Sequence, residues 1–142
     1  MPRALLPADW AGLTDEELLN LRLSDLPLRI ENELAERIEQ LCSELTAAGV
    51  LAKIHFYLSD EWFTPDGATT IAIPFYLAHP RLAKLEEAQM LEVEGGEYEW
   101  CMRILRHEAG HAIDNAFRLR LRRQRRKVFG SYKKPYPESY TP

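Results

Sequence analysis

Residues 97–128 contain no proline and a single glycine, Gly110, and Ile104, Leu105, Ala109, Ala112, Ile113, Ala116 and Phe117 recur within them at helical spacing. A stretch of this kind predicts one long helix, around which the rest of the chain must pack. On a helical wheel Trp100, Ile104, His107, His111, Asp114 and Arg118 share a front face, while Tyr98, Leu105, Ala109, Ala112 and Ala116 lie opposite. The helix is thus expected to be apolar behind and to carry two histidines in front.

Those histidines belong to the run His107-Glu108-Ala109-Gly110-His111. Positions i and i+4 stack on one helix face, so two imidazole nitrogens can reach one ion. Zinc accepts such nitrogens at roughly 2.0–2.1 Å in a tetrahedral site. Glu108 stands beside the first histidine, where a carboxylate can take a proton from an activated water. This is the H-E-x-x-H arrangement of zinc metallopeptidases. Two surface histidines beside a chance glutamate give the same five letters, but the apolar back of the helix weighs against that reading.

The remainder of the composition sets bounds. With 142 residues the chain is expected to form a single domain, residues 1–142. Hydrophobic content of 46% and charged content of 28% are those of a soluble globular protein. The net charge of −4 argues against a dedicated nucleic-acid binder. Cys42 and Cys101 lie in apolar helical settings and are expected to be reduced core thiols, since two distant cysteines make no disulfide framework. The start from Met1 to Pro7 has no apolar stretch long enough for a signal peptide, and no run is long enough to span a membrane. The expectation is a cytoplasmic protein.

Along the chain, Leu13-Thr14-Asp15-Glu16-Glu17 predicts a helix opening, with Thr14 as cap, Glu17 closing a capping box and Leu13 as staple. That helix is expected to end near Ser24-Asp25, with Pro27 in the first turn of the next. Ile30, Leu34, Ile38, Leu41 and Leu45 give the second helix an apolar stripe, and Gly49 stops it. Its charged residues Glu31, Glu33, Glu36, Arg37 and Glu39 read as a solvated face. Ile54 to Leu58 alternates as a strand, Thr64-Pro65-Asp66-Gly67 is a turn, and Thr70 to Ile73 is a second strand closed by Pro74. A short helix is expected from Arg81 to about Met90, and Gly95-Gly96 breaks the chain before the motif helix. His55 reads as a half-buried strand residue and His79 as a helix-start residue; each is a lesser candidate metal ligand.

Three segments together carry a resemblance: Leu105 to Asp114 around the motif, the preceding Leu91-Glu92-Val93-Glu94-Gly95-Gly96, and Ile73-Pro74-Phe75-Tyr76-Leu77-Ala78-His79-Pro80. The chain resembles, from about Ser59 onward, a bacterial family of zinc-binding metallopeptidases grouped with the gluzincins by their motif. The resemblance implies an α+β, zincin-like metallopeptidase core: N-terminal helices, short β-strands and a long helix bearing His107, Glu108 and His111. It also implies Zn²⁺ as cofactor and a peptide or protein substrate, and it suggests the strand at Thr70 to Ile73 as the edge beside which a peptide lies.

A catalytic zinc takes three protein ligands plus water, and only His107 and His111 are obvious. The position six residues after His111, where a metzincin has histidine, is Phe117. A gluzincin draws a glutamate from a later helix, and the proline-rich stretch from Ser131 to Tyr140 cannot form one. As the resemblance implies, family members continue further, so the third ligand is expected beyond Pro142, with 131–142 a proline- and tyrosine-rich tail. Within the chain Asp114 and Glu138 are the other candidates. Asp114 reads better as the partner that orients an imidazole, or as a carboxylate pairing with Arg118 at i+4. Tyr132, Tyr136 and Tyr140 are candidates to polarise a carbonyl, or simply pack.

Half of the 18 Lys and Arg fall between Arg118 and Lys134. Cations there complement a helix C-terminus and offset the acidic stretch from Glu86 to Glu99; phosphate contact is the lesser reading. Three functions remain in contention: a zinc metallopeptidase with Glu108 as general base, a non-catalytic metal-binding or interaction domain, and a small metal-dependent nuclease.

Overall fold

The computed structural model describes residues 9–117. The chain start, the basic run from Arg118, Glu138 and the tyrosines of the 131–142 tail lie outside the described residues.

Helix α1 (Asp15–Leu19) opens through its capping box: Glu17 N donates to Thr14 Oγ1 at 3.2 Å, and Thr14 N donates to Glu17 Oε1 at 3.1 Å. It stops well before the predicted end near Asp25. Asn20 Nδ2 donates to the Glu16 carbonyl at 3.1 Å, and Arg22 N donates to Asp25 Oδ2 at 3.1 Å, closing a separate 3₁₀ turn over Leu23–Asp25. Short polar side chains that bond the nearby backbone compete with helix propagation.

Pro27 does not start the second helix, which is α2 (Asn32–Ala47). Leu26, Leu28 and Ile30 are half-buried, while Pro27 and Arg29 are exposed, so this stretch follows the two-residue period of an extended chain. The residue before a proline is itself biased away from helix. Leu34, Ile38 and Leu41 bury the predicted stripe, with Ile30 and Leu45 packed beside it. Gly49 takes φ 78°, and Gly49 N and Val50 N donate back to the Thr46 and Leu45 carbonyls at 3.0 and 2.9 Å, a Schellman stop. Two expectations for α2 fail: Cys42 is exposed, and Arg37 is not on a solvated face. The Arg37 guanidinium reaches the Gly96 carbonyl at 3.4 Å and lies 6.0 Å from the Tyr98 ring centroid.

Strands β1 (His55–Ser59) and β2 (Thr70–Pro74) pair in parallel, with Phe56 opposite Ile71 and Leu58 opposite Ile73. Between them the chain crosses β2 and comes back along its far edge. There Phe63 and Ala72 exchange both backbone hydrogen bonds antiparallel, at 3.3 and 2.7 Å. The centre of β2 is therefore flanked on both sides. The strand expected to offer an open edge to a peptide is an inner one at Ala72. Its residues from Ile71 to Pro74 are all buried, the pattern of a strand covered on both faces. His55, expected to be half-buried, is exposed.

Helix α3 (Pro80–Met90) begins with Pro80 in its first turn and His79 as cap. The chain then passes through Gly95 and Gly96 into α4 (Tyr98–Phe117), the motif helix. Gly95 is buried at φ 84°, and a Cβ there would stand 3.0 Å from Trp62 Cζ2. Both the backbone angle and the indole packed on it require glycine.

Two apolar clusters hold these elements. The larger joins Leu34, Ile38 and Leu41 of α2, Ile71 and Ile73 of β2, and Cys101, Met102, Leu105, Ala109 and Ala112 of α4. The smaller joins Trp10, Leu18, Tyr76, Leu82 and Leu85, and Leu77 packs against both. Tyr98 and Ala116, placed by the wheel on the buried side, are exposed because the buried stripe of α4 runs only from Cys101 to Ala112. Arg81 ties the N-terminal segment to α3 by donating to the Ala11 and Leu13 carbonyls at 3.2 and 3.0 Å and to Asp15 at 2.6 Å. Helix and strand are thus both present, in a mixed α+β arrangement. Among the described residues, no helix is long and apolar enough to cross a membrane.

Candidate metal centre

The packing of α4 decides what its front face presents. With Leu105, Ala109 and Ala112 turned into the core, the 3.6-residue period turns His107 and His111 outward. Their rings meet edge to face, with centroids 4.8 Å apart and planes at 84°. The two Nε2 atoms converge to 3.2 Å. Two nitrogens bound to one tetrahedral zinc stand about 3.3 Å apart, given metal–nitrogen distances of roughly 2.0–2.1 Å. The imidazoles are thus spaced as a shared ion requires. The same spacing accommodates an Nε2–H on one ring and a lone pair on the other.

Small residues permit this arrangement. Ala109 and Ala112 let α4 sit close against the core, and Gly110, between the two histidines, is exposed with no atom near the position of a missing Cβ. The front of the motif is therefore clear of bulk from its own helix.

Glu108 projects from the side of the histidine face toward the segment that leads into β2. Thr64 Oγ1 donates to Glu108 Oε2 at 2.6 Å and lies 3.4 Å from the Glu108 carbonyl. Seven residues along the same stripe, Asn115 Nδ2 donates to the Pro65 and Ala68 carbonyls at 3.1 and 2.8 Å. The 64–68 turn is thus strapped to α4 at both of its ends. Thr64 and Asn115 were not visible in the sequence as site residues. The turn was legible, and the 108/115 stripe follows from helical periodicity, but no local pattern says that the two meet.

Asp114 is half-buried on the histidine-bearing helix. Among the described residues no group of three or more His, Cys, Asp or Glu side chains is gathered to hold a metal ion, so His107 and His111 stand as a pair. His79 is committed elsewhere: its Nδ1 accepts from Arg81 N at 3.1 Å as the cap of α3, and its ring lies 4.7 Å from that of Trp10. This is the helix-start role its sequence position predicts. Cys101 is fully buried in the larger cluster, and burial pushes its thiol up, against a smaller opposing effect of Arg37. The thiol is a core group rather than a reactive one.

An open groove of about 890 Å³ lies between the starts of α2, α3 and α4, lined by residues that include Arg37, Tyr76, Lys84 and Trp100. It does not include the histidine pair; Trp100 is its nearest approach along α4, two turns before His107. Burial, with the carboxylates of Glu94 and Glu86 adding to it, raises the Tyr76 phenol to about 12.

The chain matches no protein-family model, no curated protein and no solved structure.

Proposed function

We propose that this chain is a zinc-dependent metallopeptidase in which His107 and His111 hold the ion and Glu108 is the general base. The observation that carries the reading is the 3.2 Å convergence of the two Nε2 atoms on a helix whose intervening Glu108 has its carboxylate held by a second segment. The likeness of the motif and its flanking segments to zinc-binding metallopeptidases supports the zincin-like fold and the peptide or protein substrate. A zinc ion held by His107 and His111 would supply Lewis-acid polarisation of the scissile carbonyl and would acidify a water near neutral pH.

The chain's own groups do the rest. To hold the ion, His107 and His111 would each offer the lone pair of Nε2. Glu108 accepts the proton of the attacking water and delivers it to the leaving amine as the C–N bond breaks. The third protein ligand of such a site comes from Asp114 or from beyond the described residues.

Glu108→Gln tests the assignment, because the amide is nearly isosteric with the carboxylate and cannot act as base. The expected outcome is zinc content equal to wild type by mass spectrometry, with hydrolysis of a quenched fluorogenic peptide library lowered about 10²–10⁴-fold. Activity within a few-fold of wild type would remove Glu108 from the role of base, and loss of zinc would make it a ligand. That His107 and His111 are gathered as a pair, with no third His, Cys, Asp or Glu grouped with them among the described residues, favours a second reading, a metal-binding domain without catalysis. That reading requires the full gene product to bind zinc and cleave nothing in the same assay.

A further inference from the structure

We infer that Thr64 is a positioning residue for the general base. The inference rests on the metallopeptidase reading above and concerns how that base is aimed.

A glutamate on the outer part of a helix has three side-chain torsions and samples several rotamers. Transfer of a proton from water needs the carboxylate oxygen within hydrogen-bond reach of one defined point. Helix α4 sets the Cα of Glu108 but not the far end of its side chain. The Thr64 hydroxyl does: at 2.6 Å from Oε2 the contact has the short length of an O–H donor meeting a carboxylate. The hydroxyl carries one proton, and the Glu108 carbonyl at 3.4 Å is the poorer acceptor, so that proton goes to Oε2. With Oε2 engaged, Oε1 is the oxygen left to take the proton of the attacking water.

A hydroxyl can aim a carboxylate only if it is itself held, and Thr64 is held on each side. Before it, Phe63 is paired through both backbone groups with Ala72 of the buried strand, and Trp62 packs on Gly95 and donates from Nε1 to the Glu94 carbonyl at 3.4 Å. After it, Pro65 restricts Thr64 to extended backbone, and Asn115 grips the Pro65 and Ala68 carbonyls. The helix that carries the base thus also clamps the turn that orients it.

The test compares Thr64→Val, which keeps the β-branched shape and loses the donor, with Thr64→Ser, which keeps the donor. Both are measured with wild type and Glu108→Gln on the quenched peptide library, with zinc content determined for each. Thr64→Val is expected to lose about 10- to 100-fold in kcat with KM and zinc unchanged, the scale of a misplaced reacting group. Thr64→Ser is expected within a few-fold of wild type. Independently of activity and metal, the Thr64 hydroxyl proton of wild type, seen by NMR with labelled threonine, is expected to be protected from exchange and to lose that protection in Glu108→Ala. Thr64→Val within twofold of wild type overturns the inference, as does equal damage in Thr64→Val and Thr64→Ser, or an unprotected hydroxyl proton. If wild type cleaves and Glu108→Gln does not while Thr64→Val does, only the role of Thr64 falls. If wild type cleaves nothing although the hydroxyl is protected, the metallopeptidase reading falls and this inference with it.

Discussion

At His107 and His111 the chain places two imidazole nitrogen donors 3.2 Å apart on one helix, and each is worth little without the other. A single surface imidazole binds zinc weakly, whereas two on one rigid helix bring the second donor without further ordering of the backbone. His107→Ala and His111→Ala are therefore each expected to lose tight zinc binding, measured by competition with a chromogenic chelator; zinc retained at wild-type affinity in either variant would end the assignment. Gly95 carries a different residue-scale demand. At φ 84°, with Trp62 Cζ2 3.0 Å from the site of a Cβ, Gly95→Ala is expected to destabilise the fold by about 1–2 kcal/mol from the left-handed backbone alone, and by more once the indole shifts. A urea midpoint unchanged from wild type would show that the backbone relaxes there at no cost. The histidine pair was legible in sequence because i and i+4 neighbours are fixed by helix geometry. The Thr64–Glu108 contact was not, because it joins residues 44 apart and depends on where a turn lands on a helix.

At the scale of elements, periodicity was informative wherever one face of an element is buried. The α2 stripe, the capping box of Thr14 and Glu17, the Gly49 stop and the α3 boundaries were all readable, since each is set within a few residues. The reading went wrong where local hydrogen bonds or extended packing competed with helix, at Asn20, Asp25 and the stretch from Leu26 to Ile30. It also missed how elements clamp together. Arg106 of α4 forms a two-point contact with Glu44 of α2, at 2.9 and 2.8 Å. The Arg106 guanidinium, and then Gln40, hold the Glu44 carboxyl at about 2, well below its ordinary value of 4.5. The folded value lies below the unfolded one, so the clamp stabilises fully above pH of about 4.5 and is lost as pH falls toward about 2. Glu44→Gln is expected to have a lower urea midpoint than wild type at pH 7 and a smaller deficit at pH 3. Glu44 and Arg106 are partly exposed, so the deficit at pH 7 should also shrink in 1 M salt. A deficit independent of both pH and salt would assign Glu44 a packing role instead.

For the whole molecule, one helix carries both the core stripe and the candidate site. The stripe from Cys101 to Ala112 fills the larger apolar cluster, so α4 cannot leave without exposing α2 and β2, and Leu105→Ala is expected to cost about 2–5 kcal/mol. Because the histidines ride on that same helix, a metal that binds them is linked to global folding rather than to a fraying loop. A ligand that binds only the folded chain stabilises it by about 2.7 kcal/mol at a hundredfold excess over its Kd. For a chain of this size that corresponds to a rise of about 5–10 °C in Tm. Zinc at such an excess is expected to raise the Tm of wild type by that amount and of Glu108→Gln equally, since in the proposed site the carboxylate would act on water rather than on the ion. In His107→Ala with His111→Ala the rise should vanish, leaving only what zinc does to the unfolded chain through its thiols and remaining histidines. Leu105→Ala should start from a lower Tm and still gain the full increment, because the core and the metal then act on the same transition without sharing a ligand. An increment that survives loss of both histidines would place the bound zinc elsewhere on the chain and leave the convergence of the two imidazoles without a metal to explain it.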